Sequence, residues 1–214
     1  MKNNLRNLAY ETLKKKITTL EYKPGDRLFD STIAEDMGIS RTPVREALLA
    51  LERDGLVDCN GNNGYIVHRL TLKEADDHFA MRELLEAYSV KLIMDNITED
   101  FLEGLRAKID EAEECVRNND IANVIRCNSE IHRILYNATG SQVFVRVISL
   151  VAEKLRWITA ISLSASNSFE EALRDHKDML AAIEARNAEA LDKAIRVHLG
   201  HAKEKYLSVR NVFF

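Results

Sequence analysis

The chain has little of what interrupts regular structure: 8 glycines and 2 prolines in 214 residues. That scarcity argues against a loop-rich architecture and for long helices joined by short connections. Three cysteines, Cys59, Cys115 and Cys127, are odd in number and far apart, which argues against a disulfide framework and suits a reducing cytoplasm. No apolar run approaches the roughly 18 residues of a membrane span. The basic start MKNNLRNLAYETLKKK lacks the continuous apolar segment of a secretory signal. An excess of positive charge is also missing, since the formal net charge is −4. Binding without base reading depends on many phosphate contacts, so this balance argues against a non-specific architectural DNA protein. What is present, 46% hydrophobic and 30% charged residues, fits a globular chain with a sizeable core.

The charge is unevenly placed. Residues 1–69 carry 11 Lys/Arg against 10 Asp/Glu, and residues 70–214 carry 19 against 24, giving +1 and −5. Contact with a polyanion therefore falls to local clusters in the front part, namely Lys14 to Lys16, Arg41 and Arg45. The periodicity there predicts a helix from about Asn4 to Leu20, striped by Leu5, Leu8, Leu13, Ile17 and Leu20. After the turn Pro24-Gly25-Asp26, a short helix runs from about Ser31 to Met37, capped by Asp30 or Ser31 and stopped by Gly38. A third spans about Thr42 to Asp54, with Pro43 in its first turn and Gly55 after its end. Val44, Ala47, Leu48 and Leu51 give it a buried face, and Arg41 and Arg45, four apart, can point away together. Residues 56–59 and 65–68 read as strands around the hairpin signal Gly61-Asn62-Asn63-Gly64. Three helices and a hairpin make a winged helix-turn-helix. A short helix with two arginines at its exposed N-terminus suits the DNA major groove.

From Thr71 onward the pattern is wholly helical, with six helices expected at about 72–95, 99–118, 121–138, 142–165, 169–186 and 188–210. Short connections imply an antiparallel all-α bundle. The chain is thus mainly α, with a DNA-binding domain at 1–69 and a helical domain at 70–214. Phe79, Leu84 and Leu85, and Ile148, Val151 and Leu155, read as core of the bundle.

The segment GDRLFDSTIAEDMGISRTPVREALLALERDGLVDCNGNNGYIV closely resembles the winged DNA-binding domain of GntR-family bacterial repressors, a match covering nearly all of residues 5–69. The helical remainder looks like the C-terminal FCD domain of the FadR branch, and six helices rather than seven is the count of its shorter, VanR-like version. The resemblance implies a metabolite-responsive regulator, a repressor, binding an inverted-repeat operator as a homodimer. By the same resemblance Arg41 and Arg45 contact bases or phosphates and the Ser40 and Thr42 hydroxyls bind phosphate. Asn62, Asn63 and Gly64 at the wing tip approach the minor groove or backbone. The family's further arginine at the start of the second helix falls near Ser31 here, so that contact is absent.

His132, His176 and His198 fall on three different helices of the bundle. In metal-binding FadR-branch regulators a site is formed by an Asp four residues before a His, with two further His on later helices. EIHRIL, DHKDML and RVHLGH match those histidines in order, and Asn128 stands at the Asp position. The resemblance implies a divalent metal, Zn²⁺, Ni²⁺ or Mn²⁺, with a weakened charge balance that favours a small carboxylate effector. His201, three after His198, competes for the last position. Arg82 and Glu86 are spaced as a helical ion pair, and Arg82 is alternatively a clamp for an effector carboxylate. Arg156 beside Trp157 is a second residue of that kind. An open three-histidine site could also activate water in a helical metalloenzyme, but no nucleophile motif or positioned base accompanies it.

Overall fold

Few helix breakers should leave long helices, and the computed structural model has them. It describes residues 2–19, 21–69, 71–152 and 169–213. The chain divides into two compact units, Met1–Thr71 and Leu72–Val212.

In the first unit α1 (Lys2–Thr18), α2 (Asp30–Met37) and α3 (Arg41–Arg53) accompany three short strands, β1 (Arg27–Leu28), β2 (Val57–Cys59) and β3 (Tyr65–Val67). The strands form an antiparallel sheet in the order β1-β3-β2. β1 is not expected from sequence, because two residues are too short to show alternation. The core joins Ala9, Leu13 and Ile17 of α1 to Val44, Ala47, Leu48 and Leu51 of α3, closed by Leu28, Val57 and Val67 from the strands. Leu5 and Leu8, expected in the α1 stripe, are instead exposed, because the core begins only at Ala9. Leu20 lies outside the described residues.

Neither Asp30 nor Ser31 caps α2: Phe29 is its N-cap residue and no side chain makes the cap bond. The Asp30 carboxylate is engaged by Arg41 instead. Gly38 ends α2 in the left-handed region at φ 63°, as its lack of a Cβ permits. Gly64 is needed for two reasons. Its φ is 79°, and a Cβ there would stand 2.6 Å from the Leu28 carbonyl oxygen of β1.

The second unit is wholly helical among the described residues. It comprises α4 (Leu72–Asp95), α5 (Glu99–Arg117), α6 (Ile121–Asn137), α7 (residues 142–152 of those described), α8 (Phe169–Glu184) and α9 (Ala188–Phe213). The Thr98 hydroxyl accepts from the Phe101 N–H at the head of α5, and Asp120 does the same for Asn123 in α6. Ser141 and Asn187 serve the starts of α7 and α9 likewise. Val90, Ile93, Leu105, Ile109, Cys127, Ile131, Met179, Ile183 and Leu191 fill the interior. Phe79 and Ile148 are buried as expected and Leu85 is partly so, but Leu84 is 68% exposed. Leu155 and the expected continuation of α7 to 165 lie outside the described residues.

Candidate functional site

The reading head begins with the packing of α3. Its buried stripe, together with Pro43, fixes the helix against α1, so the opposite side at its N-terminus is turned outward. Ser40, Arg41, Thr42 and Arg45 are all exposed there. Ser40 is the N-cap residue but its hydroxyl makes no cap hydrogen bond, which leaves it for an outside acceptor. Arg41 Nη2 donates to Asp30 Oδ1 at 2.8 Å while its side chain remains 68% exposed. The carboxylate thus aims a guanidinium that stays reachable. The pairing of Asp30 with Arg41 was not foreseen, because a carboxylate before a helix reads first as a cap. In the wing, Gly61–Asn63 form one turn of 3-10 helix, and the Asn60 N–H donates to the Gly64 carbonyl at 2.9 Å. Asn63 is exposed beside it.

The second cluster lies inside the bundle. His132 on α6, His176 on α8 and His198 on α9 offer ligand nitrogens all within 4.8 Å of one another. The Nε2 atoms of His198 and His132 are 3.1 Å apart. His176 and His198 are buried. Asp175 holds the arrangement: its carboxylate receives His198 Nδ1 at 3.3 Å and His201 Nδ1 at 3.0 Å. An N–H at Nδ1 of His198 leaves the lone pair on Nε2, where a cation would need it. Burial works against the charge of Asp175, but the hydrogen bonds from His198 and His201 outweigh it and hold its carboxyl below the usual range. Burial, reinforced by His198, keeps His176 well below the ordinary histidine value, so its ring is neutral near pH 7.

These residues fit a divalent metal. His176 Nε2 is buried with no hydrogen-bond partner among the described residues, and neutral imidazoles converging from three helices are the donor set such an ion takes. Asn128 is half-buried and shares with His176 the lining of a small cavity of about 10 Å³. His201 is not in the triad and braces Asp175 instead. Asp175 was not foreseen. The Asp-His pair at the heart of DHKDML, facing His198 and His201 three apart, was the available signal.

Arg82 is buried beside this cluster, with Nη2 2.7 Å from Glu86 Oε1. Tyr136 donates to the same oxygen at 2.9 Å. Burial opposes the Arg82 charge, but Glu86 overrides it and the guanidinium stays protonated. Burial and the Glu86 carboxylate both push the Tyr136 phenol well up. Arg82 also disfavours a proton on His176, so the two groups share one electrostatic interior. Arg156 and Trp157 lie outside the described residues.

A winged reading head followed by a helical domain with a polar interior is the make-up of a DNA-binding transcriptional regulator. The FCD domain family matches residues 77–201, and the family of bacterial regulatory proteins called gntR matches residues 5–67. The chain belongs to the GntR family and carries an FCD domain. It is 28% identical over 193 residues to the HTH-type transcriptional regulator YdhC of Bacillus subtilis (strain 168), covering 90% of this chain and 86% of that protein. It is 21% identical to the HTH-type transcriptional repressor RspR of Escherichia coli (strain K12), over 94% of this chain and 88% of RspR. The fold of E. coli McbR/YncC superposes with a TM-score of 0.83 at 21% identity, covering 95% of this chain and 97% of that one. Its family and these relatives are regulators of transcription, not enzymes. No helix among the described residues is long and apolar enough to cross a membrane.

Proposed function

We propose that this regulator is a cytoplasmic, metabolite-responsive repressor, which binds an inverted-repeat operator as a dimer and senses a small organic acid in its helical domain. Arg41 and Arg45 read base edges, a guanidinium fork matching the O6 and N7 acceptors of guanine, while Ser40, Thr42 and the wing residues Asn62, Asn63 and Gly64 hold the backbone. The observation that carries the sensing half is the buried Arg82 guanidinium sharing an interior with three converging imidazoles. His132, His176 and His198, with Asn128 beside them, would hold a divalent metal such as Zn²⁺, Ni²⁺ or Mn²⁺. Such an ion would supply positive charge that attracts a carboxylate. Arg82 supplies a second anchor for that carboxylate, provided Glu86 gives it up, and Arg156 is assigned the same role. Effector binding then favours one arrangement of the reading heads over another, and the shift is limited by the difference in affinity for the two.

The test is a thermal-shift screen of organic acids with and without each metal, followed by operator titration with any acid that scores. A ligand at about 100 times its Kd stabilises the folded state by about 2.7 kcal/mol, a readily seen shift. The expected result is an acid that stabilises only the metal-loaded protein and changes operator affinity. If no acid alters melting or DNA binding in either form, the sensing assignment is lost.

A further inference from the structure

One aromatic ring of the first unit is left in solvent. Tyr10, Tyr22 and Tyr65 are at least partly buried there, whereas Phe29 is 42% exposed. Its place follows from the strands. Arg27 pairs with Ile66 and Leu28 with Tyr65, so the next step of that register sets Phe29 against Gly64 at the wing tip. The packing agrees, since a Cβ on Gly64 would stand 3.1 Å from Phe29 Cδ1 and 3.5 Å from Phe29 Cε1. On the other side the chain continues into Asp30, whose carboxylate holds the Arg41 guanidinium at the start of α3. Phe29 thus stands between the two parts of the head that face outward. The fold does not account for an aromatic residue here. The core takes Leu28 and Ile33 from either side of Phe29 and leaves Phe29 out.

We propose that Phe29 is a DNA-contact residue, packing its ring on the deoxyribose of the backbone strand that runs between the two grooves. The proposal rests on the regulator reading in one respect: α3 enters a major groove while the wing reaches the neighbouring minor groove or its edge. One sugar–phosphate strand then separates Arg41 from Gly64, and the residue standing between them faces it. Ser40 and Thr42 carry hydroxyls that suit the phosphate oxygens. A ring with neither donor nor acceptor suits the C–H face of the sugar, where its exposed part leaves water. Two consequences distinguish this contact from those of the arginines. Deoxyribose is common to every sequence, so the contact adds affinity without reading bases. No charge is neutralised, so no counterion is released and the contribution is independent of salt.

The experiment is hydroxyl-radical footprinting, which reads the accessibility of individual sugars, together with titration over a range of salt concentrations. The probe is a duplex that the full wild-type chain selects from a random-sequence pool. Wild type is set beside Phe29→Ala and Phe29→Leu, with melting as the folding control and all binding measured well below the lowest transition. Wild type should protect the sugars between the two grooves. Phe29→Ala should expose those sugars and weaken binding about five-fold or more per head, as for losing the burial of part of an aromatic ring. The slope of log affinity against log salt should stay as in wild type, whereas loss of a phosphate contact would lower it by about one. Phe29→Leu, still apolar, should fall between the other two. Unchanged sugar protection or affinity in Phe29→Ala, a flattened salt slope, or a leucine variant weaker than the alanine one would overturn the assignment. A pool from which no sequence is enriched defeats the regulator reading instead. The sugar contact is then decided on the unselected duplexes, which carry the same deoxyribose. A chain that binds no duplex at all removes both.

Discussion

The two units each hold an arginine–carboxylate pair of nearly the same length, and they do opposite things. Arg41 and Asp30 meet at 2.8 Å with the arginine side chain 68% exposed, while Arg82 and Glu86 meet at 2.7 Å with side chains only 6% and 4% exposed. In water the first pair is worth a fraction of a kcal/mol, so Arg41 can leave Asp30 for a base or phosphate at little cost. The second pair is sealed inside a helical bundle, where a lone charge is expensive. Pair geometry is nearly the same, so solvent sets the difference: Arg41 can turn to an outside partner, whereas Arg82 can leave Glu86 only for a group that brings its own negative charge into the interior.

The sharpest way to break this contrast is to remove both arginines and compare stability. Arg82→Ala strands Glu86 in the interior with Tyr136 as its remaining neighbour and should cost about 3–5 kcal/mol in urea unfolding. Arg41→Ala should cost under about 1 kcal/mol. Equal losses would mean that Arg82 is not sealed as described. On DNA the order reverses. Arg45→Ala should weaken operator binding by about 1–3 kcal/mol and relax preference at one base position, read by titration against single-base operator variants. Full, sequence-selective affinity in the Arg41/Arg45 double alanine variant would remove the reading role.

Next in size comes the support of the triad. Asp175→Asn removes the carboxylate that orients His198 and His201, and should weaken divalent-metal affinity about 10–100-fold by calorimetric titration. The change is isosteric, so the fold should survive. An unchanged metal affinity would show that His198 holds its orientation without help. Elemental analysis of untagged protein purified without chelator checks the site itself: a tenth of an equivalent or less of any transition metal counts against it.

The same division explains what was legible beforehand. The reading head is written within one continuous segment. Ser40 to Arg45 follow one another from the N-cap into the opening turns of a single helix, and the stripe behind them has one interpretation. The helical interior is assembled from α6, α8 and α9, so its histidines could be placed on helices but their convergence could not be read from spacing. Asp175 stayed hidden for that reason. Leu84 shows the other limit. A periodicity of 3.6 reports that a position is apolar, not that it faces the interior of its own unit, and Leu84 stands exposed. α2 was capped on paper by Asp30 because local chemistry favours it; the tertiary partner Arg41 took the carboxylate instead.

The smallest effect separates the units by pH. His176 is buried, and its folded value lies well below the 6.5 of a free histidine, chiefly from burial and then from His198. The unfolded chain therefore takes up that proton first. The stability this group contributes is intact above about pH 6.5 and is lost as pH falls from there towards the depressed folded value, by up to about 1.4 kcal/mol per unit. His201 acts with the opposite sign. Its hydrogen bond to Asp175 raises it, so its contribution is present below 6.5 and fades as pH rises through the raised value. It is a third exposed and loses most of that contribution to solvent, so His176 should decide the outcome. The head contains a single histidine, His68. Melting in chelator between pH 7.5 and 5.5 should therefore lower the transition of the helical unit more than that of the head, and His176→Asn should flatten the difference. Parallel losses in both units, or no flattening in the variant, would place the acid sensitivity elsewhere.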